Sequence, residues 1–234
     1  KQKIKVCSYI KRKLKNKNNT LLIYKKNFNI ISYNKKNFTY TYKGKKIIFN
    51  NPGLAGKHQI ENASTAISTI LKLNELGYKF KKKIINNGII NTKWPGRLEK
   101  GFLKNIPVYL DGAHNIDGAT KLLEFFQNKG KKVWIIMGML NNKNLYEYLK
   151  KLKPIIKGVV AIPIPNENNS FKPEEIEIIC NKLKIDGHSK KNYKLANNFL
   201  FNEIKPDLIL ITGSLYLVGN IRNKYLWVAV YPIY

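Results

Sequence analysis

The chain has 234 residues, of which 44% are hydrophobic and 12% aromatic, enough to pack one large domain or two small ones. No apolar run reaches the ~20 residues that a membrane-spanning helix needs, and the charged start lacks the apolar segment of a secretory signal. Lysine and arginine number 43 against 14 acidic residues, a formal net charge of +29. Two cysteines with no metal or redox spacing predict reduced thiols. We therefore predict a cytoplasmic protein without a membrane partner.

The positive charge also favours a second class of protein, a basic nucleic-acid-binding module. The excess is nearly all lysine, however, and it is scattered along the chain in short runs. Specific nucleic-acid binders more often use arginine for two-point contacts with phosphates and bases. We keep nucleic-acid binding as an alternative, and we expect small anionic substrates instead of a specific nucleic acid.

In chain order, the first fifty residues predict a helix followed by a meander of short strands. Residues 20–49 alternate apolar and polar side chains and break at Asn-Lys and Lys-Gly pairs. Proline and glycine interrupt residues 50–59, and 61–77 then carry apolar side chains at helical spacing. Gly77 is placed to cap that helix at its C-terminus. A second short helix is predicted over 79–88.

From Ile106 onward, apolar runs alternate with amphipathic helical segments. The runs are VYLD, VWIIMGM, VVAIPIP and DLILITGS. Uninterrupted apolar strands indicate a parallel sheet covered on both faces, and their alternation with helices predicts a right-handed, doubly wound α/β domain. In such a sheet, ligands bind beyond the carboxyl ends of the strands. Residues 227–234 fit neither pattern and are either an edge strand or a foreign tail.

The first of these runs ends in Asp111, Gly112, Ala113, His114 and Asn115. A carboxylate at a strand end can accept hydrogen bonds from ribose hydroxyls, and a histidine can donate to phosphate or carboxylate oxygens. Gly112 and Ala113 keep the turn small, so that a ligand can approach the backbone. The same five residues fit an ordinary β-to-α turn equally well, with the aspartate as turn former and helix cap.

Three other segments carry candidate contacts. The turn WPGR presents Arg97, either as a phosphate clamp or as a surface residue of a linker. Near the start of the helix after HQIE, Asn62 either contacts a nucleotide or caps the helix. In TGSLY, Ser214 and Tyr216 either contact a carboxylate or belong to a plain turn. The chain has neither of the two common glycine-rich phosphate-binding motifs, which suggests that another domain supplies that loop.

In this order, HQIENA, WPGRLE, LDGAHN and GSLY resemble the folylpolyglutamate synthase/dihydrofolate synthase family of the Mur ligase superfamily. The resemblance extends to about residue 222. It implies that residues 1–91 are the C-terminal part of a central ATPase domain that lacks its beginning. Residues 92–226 would form a Rossmann-like glutamate ligase domain with a mostly parallel sheet. Ile116 stands where the family usually has a proline, which makes the next helix start less rigid.

The resemblance also implies a reaction, in which an ATP-dependent ligase adds L-glutamate to dihydropteroate or folate through an acyl phosphate. The residues it assigns are ATP contacts at Asn62, Arg97 and Asp111, a catalytic histidine at His114, and glutamate contacts at Ser214 and Tyr216. The phosphate loop and the Mg²⁺ ligands of the family would precede this chain. We therefore expect no metal ligands within it, and no activity from it alone, because the acyl phosphate requires γ-phosphate, magnesium and carboxylate in line.

A cell-wall amide ligase of the same superfamily is the nearest alternative enzyme. The GAHN residues separate the two branches poorly, whereas WPGRLE and HQIENA favour the folate branch. In either case we expect small-molecule partners only, namely ATP, the acceptor substrate and L-glutamate, and a monomeric protein.

Overall fold

A computed structural model describes residues 4–15, 17 and 19–224, which form two compact units divided between Lys93 and Trp94. The resemblance puts this boundary after residue 91. The segment 227–234 lies outside the described residues. Within the described residues, no helix is long and apolar enough to cross a membrane.

In its described residues, the first unit contains an antiparallel sheet and three helices. Its elements are α1 (Ile4–Leu14), β1 (Phe28–Tyr33), β2 (Asn37–Tyr42), β3 (Lys45–Asn50), α2 (His58–Glu75) and α3 (Lys82–Ile90). The strands pair in the order β1-β2-β3, which is the predicted meander. Successive side chains of a strand point to opposite faces, and Phe38, Tyr40 and Phe49 are buried with Ile67 of α2 in one core. The Tyr40 hydroxyl also hydrogen-bonds Ser68 of α2 at 2.6 Å.

The helices of this unit differ from the prediction mainly at their ends. The longer helix, α2, begins at His58, and Gly77 follows its C-cap residue Leu76 with a φ of +102°. A positive φ at this position is what a C-terminal glycine cap requires. The shorter helix, α3, runs from Lys82 to Ile90 instead of over 79–88.

The second unit is an α/β domain with a six-stranded, mostly parallel sheet, which confirms the predicted fold class. Its strands and α-helices are β4 (Glu99–Leu103), β5 (Ile106–Leu110), α4 (Ile116–Gln127), β6 (Val133–Met137), α5 (Leu145–Leu152), β7 (Ile156–Ala161), α6 (Pro173–Lys182), β8 (Gly187–Ser189), α7 (Tyr193–Phe199), β9 (Ile209–Thr212) and α8 (Leu215–Lys224). The strand order is β4-β5-β9-β6-β7-β8, and among the strands of residues 94–224 only β4 runs antiparallel to its neighbour.

Helices cover both faces of this sheet, as the continuous apolar strands predict. On one face, α7 and α8 bury alternate residues of the central strands, among them Leu110, Ile136 and Ile211. The helices α4, α5 and α6 contact one another in sequence and cover the other face. The loops that follow the strands are therefore anchored to a sheet that is packed between helices.

Two edge strands, β4 and β8, are absent from the sequence prediction. The first joins β5 through a two-residue hairpin at Lys104 and Asn105, whose φ values are 44° and 68°. Positive φ at both positions is the geometry of the tight hairpin turn that matches strand twist. Because an edge strand is not covered along its whole length, β4 has no continuous apolar run that would reveal it.

Candidate functional site

The candidate site lies at the carboxyl ends of β5 and β9, which are neighbours in the sheet. Three segments meet there: the turn before β4 (94–98), the loop after β5 (111–115) and the loop after β9 (213–214). Backbone hydrogen bonds join them, since Gly112 N donates to Gly96 O at 2.9 Å and Gly213 N donates to Ala113 O at 3.1 Å. Thr212, at the end of β9, lies 99 positions after Ala113 along the chain, so the structure brings the TGS segment to the WPGR and DGAHN motifs.

The Asp111 carboxylate ties two of these segments to each other. Its Oδ2 accepts a hydrogen bond from Leu98 N at 2.9 Å, and its Oδ1 accepts one from Ala113 N at 2.8 Å. Burial raises the pKa of this carboxyl, although the two backbone hydrogen bonds and the charges of Arg97 and His114 oppose the rise. A carboxylate offers about four acceptor positions, so two remain after these bonds are made.

A second buried carboxylate, Glu99, supports the turn before β4 and was missed by the sequence prediction. Its Oε2 accepts from Gly96 N at 2.8 Å, and its two oxygens lie 2.9 and 3.1 Å from Nε of Arg222 in α8. The Glu99 side chain is 1% exposed. The turn that presents Arg97 is therefore held at Leu98 by Asp111 and at Gly96 by Glu99.

Arg97 itself is half-buried. Among the described residues, its guanidinium has no hydrogen-bond or salt-bridge partner. Its charge lies close enough to Asp111 to favour the ionised carboxylate. Within the described part of the chain, the donors of the guanidinium are therefore uncommitted, as a ligand-binding role would require.

Tyr148 of α5 holds the loop after β5 through its hydroxyl group, a role that no motif in the sequence reveals. Its hydroxyl lies 3.1 Å from Ala113 O and 3.0 Å from Thr212 Oγ1, and burial raises its pKa. The carbonyl can only accept, so the tyrosine hydroxyl donates to it. These bonds join the ends of β5 and β9 to a helix on one face of the sheet.

The structure gives a different reason for glycine at position 112 from the predicted one, which was to let a ligand approach the backbone. A Cβ on Gly112 would overlap the side chain of Leu215, the first residue of α8. The space next to this glycine is therefore taken by the protein and is not open to a ligand. Close approach of α8 is the reason for glycine here.

His114 is half-buried, and its Nδ1 lies 2.8 Å from Gly112 O. Because a carbonyl oxygen only accepts, Nδ1 must carry the hydrogen, which leaves Nε2 as an acceptor in the neutral ring. The next residue, Asn115, is the N-cap of α4, and its Oδ1 accepts from Gly118 N at 2.8 Å. The helix cap is thus Asn115, and the alternative that made Asp111 the cap is wrong.

Ser214 and Tyr216 begin the segment that leads into α8. The buried Ser214 accepts a hydrogen bond at Oγ from Tyr216 N at 3.1 Å, as a residue before a helix start does. The Tyr216 side chain is exposed, with 61% of the residue accessible. Of the two, Tyr216 has the side chain that a ligand can reach directly.

Asn62 lies in the first unit, on the exposed side of α2. Its Nδ2 donates to Oε1 of Gln59 at 2.9 Å, and Nε2 of Gln59 lies 3.0 Å from Nε2 of His58. The helix has Lys57 as its N-cap and no side-chain cap hydrogen bond. The alternative that Asn62 caps the helix is therefore wrong. Its amide instead belongs to a row of hydrogen-bonded side chains that continues through Gln59 to His58.

No group of three or more His, Cys, Asp and Glu side chains in the described part of the chain could hold a metal ion. The carboxylates at the site, Asp111 and Glu99, are each occupied by backbone N–H groups and, for Glu99, by an arginine. Within the described residues, neither carboxylate belongs to a cluster that could hold a metal ion.

Comparison with known proteins identifies relatives for both the sequence and the fold. A family model described as "Mur ligase, glutamate ligase domain" matches residues 96–215. The dihydrofolate synthase/folylpolyglutamate synthase of Bacillus subtilis is 28% identical over 176 residues, which are 73% of this chain and 40% of that protein. The folylpolyglutamate synthase of Lacticaseibacillus casei is 27% identical over 192 residues, 81% of this chain and 43% of that protein.

A solved structure of Mycobacterium tuberculosis folylpolyglutamate synthase, complexed with ADP, superposes with a TM-score of 0.80 at 17% identity. It covers 98% of this chain and 55% of that one. At this identity the superposition establishes the fold alone. The chain spans less than half the length of the two sequence relatives.

Proposed function

The chain belongs to the Mur ligase family, with its glutamate ligase domain at residues 96–215, and from this premise we propose that it is part of an ATP-dependent folate ligase. The reaction joins L-glutamate to the carboxylate of dihydropteroate or a folate. Residues 1–91 would belong to the central ATPase domain of the ligase, and residues 92–226 would form its glutamate ligase domain. The relatives named above are folate ligases, which favours a folate acceptor over a peptidoglycan precursor.

The observation that carries this proposal is the junction of three separate loops at one end of the sheet. Asp111 holds the turn that presents Arg97, and the same loop presents His114. Positive and polar groups at the carboxyl ends of parallel strands suit a nucleotide and an amino acid, both of which are anionic. A fixed arrangement of this kind requires little reorganisation when charge develops in the reaction.

In the proposed reaction, the γ-phosphate of ATP passes to the acceptor carboxylate and forms an acyl phosphate and ADP. The amine of L-glutamate then attacks the carbonyl carbon, phosphate leaves, and the amine loses a proton. Nε2 of His114 can accept that proton, because the hydrogen bond to Gly112 O places the ring hydrogen on Nδ1. When protonated, the same ring can instead donate to phosphate oxygens.

The remaining residues bind and orient the substrates. Arg97 would contact ATP phosphates, and Asp111 would offer its two remaining acceptor positions to ribose hydroxyls. Asn62 is also proposed as an ATP contact. Tyr216 would contact the carboxylate of L-glutamate, and Ser214 holds the start of α8 through its hydrogen bond with Tyr216 N. Mg²⁺ would be held by residues outside this chain. We also propose a cytoplasmic, monomeric enzyme.

A ligase assay tests the proposal on the gene product that contains this chain and any coding sequence before Lys1. We expect ADP release that depends on both L-glutamate and a dihydropteroate or folate acceptor, and no turnover from the 234-residue chain alone. ADP release that requires a peptidoglycan precursor would contradict the folate assignment. Turnover by the 234-residue chain alone would contradict the proposal that the chain is only one part of the ligase.

Substitution His114→Ala in the active protein should lower kcat about 10²–10⁴-fold, the usual contribution of a positioned acid or base. The matched control is His188→Gln, because His188 lies in β8 at the far edge of the sheet. His114→Ala should keep nearly the thermal stability of the wild type, measured by circular dichroism, whereas His188→Gln loses the ring contacts of His188 with Trp134 and Phe199 and should still keep the wild-type kcat. Equal kcat values for wild type and His114→Ala would remove His114 from the reaction.

A further inference from the structure

A cavity of about 750 Å³ lies at the amino ends of the parallel strands, at the edge of the sheet opposite the candidate site. We call it the amino-edge cavity. Its charged lining residues come from β4, from the turn after α4, from β7 and from the segment before β9: Lys100, Lys129, Lys131, Lys132, Lys157 and Asp207. None of them belongs to the motifs that define the candidate site, so this cavity is independent of the proposed function.

The cavity has a strong excess of positive charge. Of its five lysines, Lys157 is matched by Asp207 at 2.7 Å, and among the described residues the other four have no salt-bridge partner. The ammonium groups of Lys100 and Lys129 lie over aromatic rings, 5.3 Å and 5.0 Å from the ring centroids. These contacts hold the lysine side chains without neutralising their charge.

Three of the lysines are placed by the turn that ends α4. Gly130 has a φ of +60° and donates to Gln127 O at 2.9 Å, while Lys131 N donates to Phe126 O at 3.1 Å. This pair of hydrogen bonds is a glycine-based helix cap of well-defined geometry. The turn therefore holds Lys129, Lys131 and Lys132 next to one another.

The polarity of the helix explains only part of this cluster. Lysines near a helix C-terminus interact favourably with its negative end, which accounts for the turn after α4. Lys100, however, comes from β4 and Lys157 from β7, with three other strands between them in the sheet. An anion here would meet ammonium groups from several separate elements, in a concave space.

From this arrangement we propose that the amino-edge cavity binds a linear polyanion, a chain of phosphates or carboxylates with at least three negative charges. All its cationic groups are lysines, which act as point charges and do not demand the paired geometry of an arginine fork. Charges spaced along a chain match such a set better than one compact anion. The volume of the cavity accommodates a short chain.

Isothermal titration calorimetry on the 234-residue chain tests this with tripolyphosphate and with tetraglutamate as probes. The cavity variant carries Lys129→Gln, Lys131→Gln and Lys132→Gln. The control variant carries Lys182→Gln, Lys191→Gln and Lys194→Gln, three exposed lysines outside the cavity, and has the same change of net charge. We expect one polyanion per chain and about a tenfold rise in Kd for the cavity variant, because three exposed ammonium groups no longer attract the anion.

The control variant should stay within about twofold of the wild-type Kd, because its lysines do not face the cavity. Asp207→Asn should lower the Kd, since it releases Lys157 from its ion pair. Preference for tripolyphosphate or for tetraglutamate would identify the natural chemistry, and either supports the site. Equal weakening of binding in the cavity and control variants, or several polyanions bound per chain, would overturn it and leave only diffuse attraction to the basic surface.

Discussion

Replacing Asp111 should disrupt the candidate site through its backbone before any ligand is involved. In the native structure, the carboxylate accepts two hydrogen bonds from the buried residues Leu98 and Ala113. Asp111→Ala leaves both N–H groups without their acceptor, and each buried, unsatisfied donor costs about 1–3 kcal/mol. Part of this cost is offset, because the substitution also removes a carboxylate whose burial is itself unfavourable. We expect a net loss of roughly 2–4 kcal/mol in the free energy of unfolding.

Asp111→Asn should fall between the wild type and Asp111→Ala. One amide oxygen can still accept, but the amide nitrogen faces the second N–H group as another donor, so one unsatisfied bond remains, at a cost of about 1–3 kcal/mol. Asp117→Asn is the matched control, because Asp117 is exposed in the first turn of α4. Such a surface change should stay within about 0.5 kcal/mol.

Urea unfolding followed by tryptophan fluorescence measures these differences in the second unit. The chain has three tryptophans, and none lies in residues 1–93 of the first unit. The order of stability should be wild type and Asp117→Asn, then Asp111→Asn, then Asp111→Ala. If Asp111→Ala unfolds at the same urea concentration as the control, the carboxylate does not hold the two segments together. A test of ATP binding should therefore use Asp111→Asn, under conditions in which that variant is fully folded.

Two other substitutions test neighbouring features. Gly112→Ala should cost about 1–3 kcal/mol by overlap with Leu215, and the double variant with Leu215→Ala should recover part of that loss in urea unfolding. In the first unit, hydrogen bonds from Lys43 and then Lys72 lower the pKa of Glu75 from 4.5 to about 2. The ionised form is thus favoured by folding, and the stability from it is present above pH 4.5 and lost as the pH falls toward 2. Glu75→Gln should lack this acid-dependent loss in circular dichroism melts, and an identical pH profile for the two proteins would contradict the assignment.

The parallel core of the second unit could be predicted because burial on both faces leaves a visible signal. The strands β6 and β9 are buried at every position, so their sequences are uninterrupted apolar runs. The edge strands β4 and β8 carry no such run, since they have a neighbour on one side only. Helix ends were less predictable, as the early start of α2 at His58 shows, because its first turn has no side-chain cap to mark it.

At the candidate site, the sequence could indicate which loops matter but not what holds them. Asp111, His114 and Ser214 stand at or just after the ends of predicted strands, and their side-chain chemistry and the family resemblance made them candidates. Glu99 gave no comparable signal, because its partner Arg222 is 123 positions away along the chain. Tyr148 likewise looks like one more apolar residue of an amphipathic helix until the fold brings it to Ala113 O.

The contacts of the site residues separate those that build it from those that can meet a ligand. Asp111 and Ser214 already bind backbone N–H groups of this chain, so any ligand contact they make is added to a structural role. Tyr216 is exposed, and Nε2 of His114 is left as an acceptor by the bond at Nδ1. Substitutions at Asp111 or Ser214 should therefore change stability and activity together. Substitutions at His114 or Tyr216 should change activity at nearly constant stability, and it is this second pair that can report on the chemistry of the site.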